Sequence, residues 1–481
     1  MIYKPEKGGM WDPSVIWHDG KYYAFMMYDK DGHRALYDSR YCLMASSTNG
    51  VHWKDEGIVI EEREIKKGTR FFKCFVGRCG SKFVMVHGVY RKREKKQDTL
   101  RFYESSDLKN WKYLYSNKPD PRWYTTQGKQ LRWDHMYIIP KEEGNPKAGY
   151  FGHVVAAPKK GMTPAIGMMQ SKNGTTWQPI PLAKVEWGDI PPRNLEWGGC
   201  EQIGGKYYII GGAPNYLTKA YSMYTLVSDS PRGPFRPDVE AYRLCGHTNK
   251  YVTWLASWVR GDNELLISNY VSMRPYYDMP WLLPLRKPVV DEQGHLCLGW
   301  WKGNEKLKGK PLAIKKTFRL NNSGKTSDYT TTFINKSFDF KTGIVLQGKI
   351  KAFAVPTDKK ESSAGFLFER KRDSSKSMAL LLGVGKVQNR RSRIGHLYPG
   401  PDGKNRFRSE DITGPGCATV TGIEDGKEHS FRLLIRYQVF ELYIDDLLMQ
   451  TYMCDDFVRI GFIASNARVE FNNLKAWKMK F

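Results

Sequence analysis

A strand pair followed by a Ser-containing strand and a polar turn ending in an aromatic residue recurs along the first three hundred residues, and this repeat constrains the fold more than any single motif. It runs as Ala45-Ser46-Ser47-Thr48-Asn49-Gly50-Val51-His52-Trp53 and again as Glu104-Ser105-Ser106-Asp107-Leu108-Lys109-Asn110-Trp111. A third copy is Gln170-Ser171-Lys172-Asn173-Gly174-Thr175-Thr176-Trp177, and a degenerate fourth is Ser228-Asp229-Ser230-Pro231-Arg232-Gly233-Pro234-Phe235. Repetition of strand and turn at this spacing predicts one supersecondary unit stacked several times.

Between these tags lie hairpins rich in β-branched and aromatic residues, at Lys82 to His87, Gly149 to Ala156, Lys206 to Gly211 and Glu264 to Tyr270. With an opening hairpin, Trp11 to Trp17 turning at Asp19-Gly20 into Tyr22-Tyr23-Ala24-Phe25, the count is five. Helical periodicity is nearly absent. Five four-stranded sheets around an axis, a five-bladed β-propeller over residues 1–305, is the economical solution, with ring closure expected near Trp281-Leu282-Leu283-Pro284.

A chain of 481 residues with 41% hydrophobic content is too long for one small core, so two domains are expected. The polar stretch 306–316, containing Lys308-Gly309-Lys310-Pro311, reads as a linker. Beyond it, 317–481 is again all strand and includes a hairpin, Val439 to Thr451, turning at Asp445-Asp446. Short strands at regular spacing predict an accessory β-sandwich.

The formal net charge of +26 favours acidic partners. Its basic clusters, such as Arg91-Lys92-Arg93-Glu94-Lys95-Lys96 and Arg390-Arg391-Ser392-Arg393, fall mostly in expected loops and predict a solvated basic surface. No nucleic-acid motif is visible and no run is long and apolar enough to cross a membrane, so neither partner is expected; oligomeric state is left open. Eight cysteines without CxxC or metal-ligand spacing predict reduced, buried thiols, with no metal and no cofactor. The chain as written carries no leader ahead of its first strand; a cytoplasmic location is expected, or a periplasmic or secreted one if a signal peptide has been removed.

The chemistry depends on which carboxylates reach the axis. Asp12 opens an apolar strand after Trp11 and before Pro13. In the third unit, Leu131-Arg132-Trp133-Asp134-His135 places Asp134 at the head of another. In the fourth, Leu195-Glu196-Trp197-Gly198-Gly199-Cys200-Glu201 offers Glu196 and Glu201. Three axial acids beside tryptophans suit glycosidic-bond cleavage, which needs a nucleophile or water-activating base, a proton donor and aromatic faces for the sugar. The structural alternatives are an Arg132–Asp134 ion pair and glutamates that cap a turn. In a regular strand Glu196 and Glu201, five apart, face opposite ways unless Gly198-Gly199 holds a bulge; Glu196 lies nearer the rim, as Asp12 does, and is preferred, with Glu201 kept as its candidate partner. His153 and His247, at inner strands, are candidates for contacting sugar hydroxyls, with Trp11, Arg132, Trp133 and Trp197 beside them.

Trp11-Asp12-Pro13-Ser14 followed by Gly20-Lys21-Tyr22-Tyr23 resembles the first blade of the five-bladed propeller glycoside hydrolases of families 32 and 43, and Ser430 to Thr451 is similar to the family 32 sandwich. The resemblance implies a glycosidase acting on a furanoside or fructoside-like carbohydrate. Asp12 would be the nucleophile as in family 32, with retention, or the general base as in family 43, with inversion. Asp134 after Arg132 would stabilise the transition state and Glu196 would be the acid/base. The chain departs from the family pattern in that Trp133 stands between Arg132 and Asp134 and Trp197-Gly198 follows the Glu. A propeller that binds glycans without cleaving them is the alternative.

Overall fold

The computed structural model describes residues 1–31, 39–61, 69–91, 96–125, 132–160, 165–188, 196–214, 221–238, 244, 253–261, 264–272, 280–322, 329–355, 361–371, 373, 376–385, 392–409, 422–453 and 457–481. The backbone separates into two compact units, one of Met1–Val239 with Thr253–Val290, the other of Asp291–Phe481 with Glu240–Val252.

In the first unit four sheets share one plan, four antiparallel strands in sequence order. The first holds β1 (Gly9–His18), β2 (Lys21–Asp29), β3 (Tyr41–Ser47) and β4 (Lys54–Glu61). The second holds β5 (Thr69–Cys79), β6 (Lys82–Arg91), β7 (Lys96–Ser105) and β8 (Lys112–Asn117). The third holds β9 (Trp133–Pro140), β10 (Tyr150–Ala156), β11 (Ala165–Ser171) and β12 (Gln178–Ile180), and the fourth β13 (Glu196–Ile203), β14 (Lys206–Pro214), β15 (Tyr221–Ser228) and β16 (Arg236–Pro237). In the fifth, β17 (Thr253–Arg260) pairs with β18 (Leu265–Ser272), which pairs in turn with β19 (Pro280–Leu282) and β20 (Arg286–Val290).

The first strands of successive sheets lie against one another, and β17 lies against β1, so the five sheets close into a ring with β1, β5, β9, β13 and β17 innermost. The start of the chain completes the fifth blade: Ile2 N–H donates to the Leu282 carbonyl and Leu282 N–H to that of Tyr3, each at 2.8 Å. Joining both ends of the unit in one sheet removes an open edge.

The repeated tag is the connection from third to fourth strand, and its residues are there for the turn. Asn49, Asp107 and Asn173 each accept, through Oδ1, two backbone N–H groups that follow, at 2.8–3.0 Å. The indole N–H groups of Trp53, Trp111 and Trp177 then donate back to the carbonyls of Gly50, Leu108 and Gly174, at 3.1, 2.9 and 2.7 Å. Phe235 ends the fourth copy and has no such donor, which is why that copy is degenerate.

The second unit is a sandwich. A six-stranded sheet runs in the order Thr330–Phe333, Phe457–Ser465, Ser363–Arg370, Ser377–Gly383, Ser392–Pro399, Asn405–Ser409. The facing sheet includes Ile344–Ala354, Glu428–Arg436, Val439–Ile444, Leu447–Met453 and Ala467–Met479. Their inner faces meet in one core in which the rings of Phe462 and Phe471 stack 4.0 Å apart. The stretch 306–316, expected as a linker, is not free chain: Lys308–Leu312 is a strand paired with Ala467–Met479. Within it the Lys308 ammonium donates to Gln347 at 2.8 Å and also to Glu305. Cys42, Cys74, Cys79, Cys200 and Cys297 are buried free thiols, as the spacing predicted.

Candidate active site

Each of the five inner strands carries a register shift in its first half. The unpaired residues are Asp12 and Pro13 in β1, Lys73 in β5, His135 in β9, Gly198 in β13, and Leu255 and Ala256 in β17. A bulge re-aims the side chains beside it and bends the strand, so five bulges at equivalent places turn the strand entries into a single site. In β1, proline has no N–H to lose from the ladder, and Asp12 sits at φ +47, a left-handed conformation that aspartate tolerates better than most side chains.

Asp12 is 8% exposed and accepts a hydrogen bond from the Tyr270 hydroxyl at 2.6 Å through Oδ1, leaving Oδ2 for other work. Burial raises its pKa to about 6. The Lys73 ammonium and the tyrosine hydroxyl oppose that rise, and the charges of Glu196 and Asp134 add to it.

Asp134 is fully buried and keeps its charge by hydrogen bonding. Arg132 donates from Nη2 to Oδ2 at 2.8 Å, and the His135 backbone N–H donates to Oδ1 at 2.7 Å. Burial alone would push this carboxyl up, but His135 and Arg132 hold it well below the usual carboxylate range. The same Arg132 nitrogen reaches Glu196 Oε1 at 3.1 Å. The expected ion pair is therefore present but shared between two blades. The Glu196 side chain is 31% exposed against 1% for Asp134, so Glu196 stands at the rim and Asp134 at the floor. A Cβ on Gly88 would lie 2.9 Å from Asp134 Oδ1, so only glycine lets this acid seat against β6.

Lys73, Tyr270 and His135 also belong to this cluster, and none of them is a site candidate from the sequence. The signal for Lys73 was a single cation inside the apolar run Phe71-Phe72-Lys73-Cys74-Phe75. It is 7% exposed, and the charges of Asp12, Glu196 and Asp134 all act on it; burial nevertheless lowers its pKa. Burial and the nearby Lys73 charge lower the His135 pKa as well. Its neutral ring donates from Nε2 to the Trp197 carbonyl at 2.5 Å, a partner that can only accept and so fixes the proton on Nε2. The β13 bulge is held from the other side by Ser257, whose hydroxyl donates to the Gly198 carbonyl at 3.1 Å. A Cβ on Gly198 would lie 1.6 Å from the Ala256 carbonyl oxygen, so this close approach requires glycine.

That bulge decides between the glutamates. Glu196 pairs with Gly212 and Glu201 with Tyr208, an even count, so the two acids share one face but lie at opposite ends of β13. Glu201 is not with the cluster. It accepts from the Tyr137 hydroxyl at 2.6 Å and is paired with Arg260, whose Nε donates at 3.0 Å. Tyr137 and Arg260 line a separate pocket of about 390 Å³ with Trp17 and Trp258. Glu201 is thus held by Tyr137 and Arg260 at a place apart from Asp134 and Arg132.

The aromatic residues need a similar correction. Trp11, Trp133 and Trp197 are 4%, 0% and 1% exposed and offer no open face to a sugar. Neighbours along a strand point to opposite faces, so when Asp134 and Glu196 turn toward the site, Trp133 and Trp197 turn into the packing between strands. Trp133 packs on Tyr124, Trp197 on Trp187, and Trp11 sets itself edge-on to Tyr270. His153 is also structural: it is 1% exposed, its Nε2 donates to the Pro231 carbonyl at 2.7 Å, and burial lowers its pKa to about 4. β10 is a second strand and carries it away from the axis. His247 lies outside the described residues.

Ring and cluster together define a five-bladed propeller with a carboxylate site at its axis, followed by a β-sandwich. Solved structures share that fold over the whole chain. Fructan 1-exohydrolase IIa from Cichorium intybus aligns with a TM-score of 0.68 at 14% identity, covering 99% of this chain and 96% of its own. A fructofuranosidase from Schwanniomyces occidentalis complexed with fructose aligns at 0.67 and 13%, covering 100% and 97%. Sucrose-6-phosphate hydrolase from Lactobacillus gasseri aligns at 0.64 and 12%, covering 98% and 91%. The fold is thus the propeller and sandwich of glycoside hydrolase family 32, as the first-blade resemblance implied. No protein-family profile matches the chain, and no curated sequence does.

Proposed function

We propose that this chain is a glycoside hydrolase acting on fructosides or related furanosides, with Asp12, Asp134 and Glu196 as its working carboxylates. The observation that carries the reading is that three blades deliver three carboxyl groups to one cluster, in which Asp134 and Glu196 share the Arg132 guanidinium and Asp12 lies within the field of both acids. Asp12, ionised above pH about 6, attacks the anomeric carbon through Oδ2 while Tyr270 holds Oδ1. Glu196, at the rim and with Oε2 free of Arg132, gives its proton to the departing oxygen and then takes one from the water that releases the sugar. Asp134, kept ionised at the floor, offsets the positive charge that develops on the ring. That sequence retains configuration at the anomeric carbon. The structural neighbours, a fructofuranosidase complexed with fructose, a fructan 1-exohydrolase and a sucrose-6-phosphate hydrolase, support the choice of sugar.

The test is NMR of the purified chain incubated with sucrose, sucrose 6-phosphate and inulin-type oligosaccharides. Release of fructose with the β-anomer appearing first is expected, and Asp12→Asn of intact fold releases none. Binding without release from any of the three would replace the hydrolase with a glycan-binding propeller.

A further inference from the structure

Lys73 is placed as few lysines are. It occupies the bulge of β5, the strand that lies against both β1 and β9, so its backbone is unpaired opposite β6 and its side chain lies within the field of acids from the first, third and fourth blades. Across the ladder, Phe72 beside it pairs with Gly88, the residue whose missing Cβ admits Asp134. The ammonium is more than nine-tenths buried, and among the described residues it makes no hydrogen bond and no ion pair within 4 Å. Burying an ammonium costs several kcal/mol, and buried charges in folded proteins normally recover that cost through hydrogen bonds. Here the field of Asp12, Glu196 and Asp134 offsets part of it, yet three N–H donors stay unspent in the middle of the site.

Resting on the hydrolase reading, we infer that Lys73 is a substrate-contacting residue whose ammonium donates to a hydroxyl of the sugar ring bound over Asp12 and Asp134. The group it meets is an uncharged hydroxyl and not a carboxylate or phosphate. Three carboxylates face two cations in this cluster, and Arg132 is already committed to Asp134 and Glu196, so an anion on the ring would be repelled. A hydroxyl can accept from Lys73 and donate to a neighbouring carboxylate at once. The ring in the deepest position is therefore neutral, and any charge on the substrate sits on the leaving group outside it.

The ammonium also supports Asp12, since removing it takes away a charge that favours the ionised carboxylate. Asp134, Glu196, Arg132, His135 and Tyr270 are the other polar groups packed around this pair.

The experiment compares wild type, Lys73→Met and Lys73→Arg in the full chain. Fructose affinity is measured by calorimetry in the Glu196→Gln background, and kcat/KM for sucrose is followed against pH in the active background. Lys73→Met is expected to weaken fructose binding at least tenfold and to move the acid limb of kcat/KM to higher pH, with Lys73→Arg recovering part of both. Unchanged affinity and an unmoved limb in a folded Lys73→Met protein would overturn the assignment while leaving the hydrolase intact. Fructose binding that needs Lys73, in a protein that hydrolyses nothing, would sink the hydrolase and keep the contact. Absence of any sugar binding in wild type would overturn both.

Discussion

One nitrogen of Arg132, Nη2, donates both to Asp134 at 2.8 Å and to Glu196 at 3.1 Å, so the acids of the third and fourth blades share a single guanidinium. The geometry of two proposed catalytic groups is thereby set by one side chain that need not touch the reacting atoms. Replacing Arg132 by Met leaves Asp134 buried without its partner, a change that costs about 3–5 kcal/mol in comparable buried pairs. Urea denaturation should show that loss, and kcat/KM should fall even under conditions where the variant is folded.

Asp12 is an acid whose folded pKa is raised, from an ordinary 3.8 to about 6. The folded state therefore holds a proton that the unfolded chain gives up, and stability falls as pH rises from about 4 to about 6 and stays reduced above that. Asp12→Asn removes this penalty, of order 3 kcal/mol, at pH 7 and keeps the acceptor for Tyr270. The expected result is a variant with no hydrolysis and a higher Tm at pH 7, the gain disappearing near pH 4. Wild-type kcat/KM should fall tenfold per pH unit below about 6, as Asp12 takes up its proton.

Glu196 at the rim is the proposed proton donor, and leaving groups reveal such a role. Glu196→Gln should lower kcat on sucrose by roughly 10²- to 10⁴-fold. The loss should shrink sharply for an activated aryl fructoside, whose phenolate departs without a proton. Equal losses on both substrates would assign Glu196 to binding.

His153 gives a control. Its folded pKa, about 4, lies below the ordinary 6.5, so the fold excludes the charged ring and loses stability as pH falls from about 6.5 to about 4. His153→Leu should cost about 1–3 kcal/mol by leaving the Pro231 carbonyl unpaired, and should flatten that pH slope. KM for sucrose should not move.

Much of the fold was legible because the blade repeat is written in local chemistry. An Asx turn and an indole N–H returned to a carbonyl three residues back need only neighbours in sequence, and Asn49, Asp107 and Asn173 announce them three times over. The place of Asp12, Asp134 and Glu196 near the start of inner strands was legible for a related reason, since each stands beside an apolar run in the sequence. The tryptophans stand beside the acids in sequence but not at the site, because a strand sends neighbours to opposite faces.

The sequence by itself determined the blade plan and the placing of three carboxylates at strand entries, since strand, turn and strand entry depend on residues close together in the chain. Which way those acids point, and what surrounds them, only the tertiary structure decided. The Gly198 bulge, packed against the Ala256 carbonyl of the next blade, put Glu196 and Glu201 on one face at opposite ends of their strand. Tyr270 reaches Asp12 from 258 residues away, and Lys73 enters from a blade between two others. Bulges and cross-blade partners arise from contact between inner strands, and no local pattern in the chain encodes that contact.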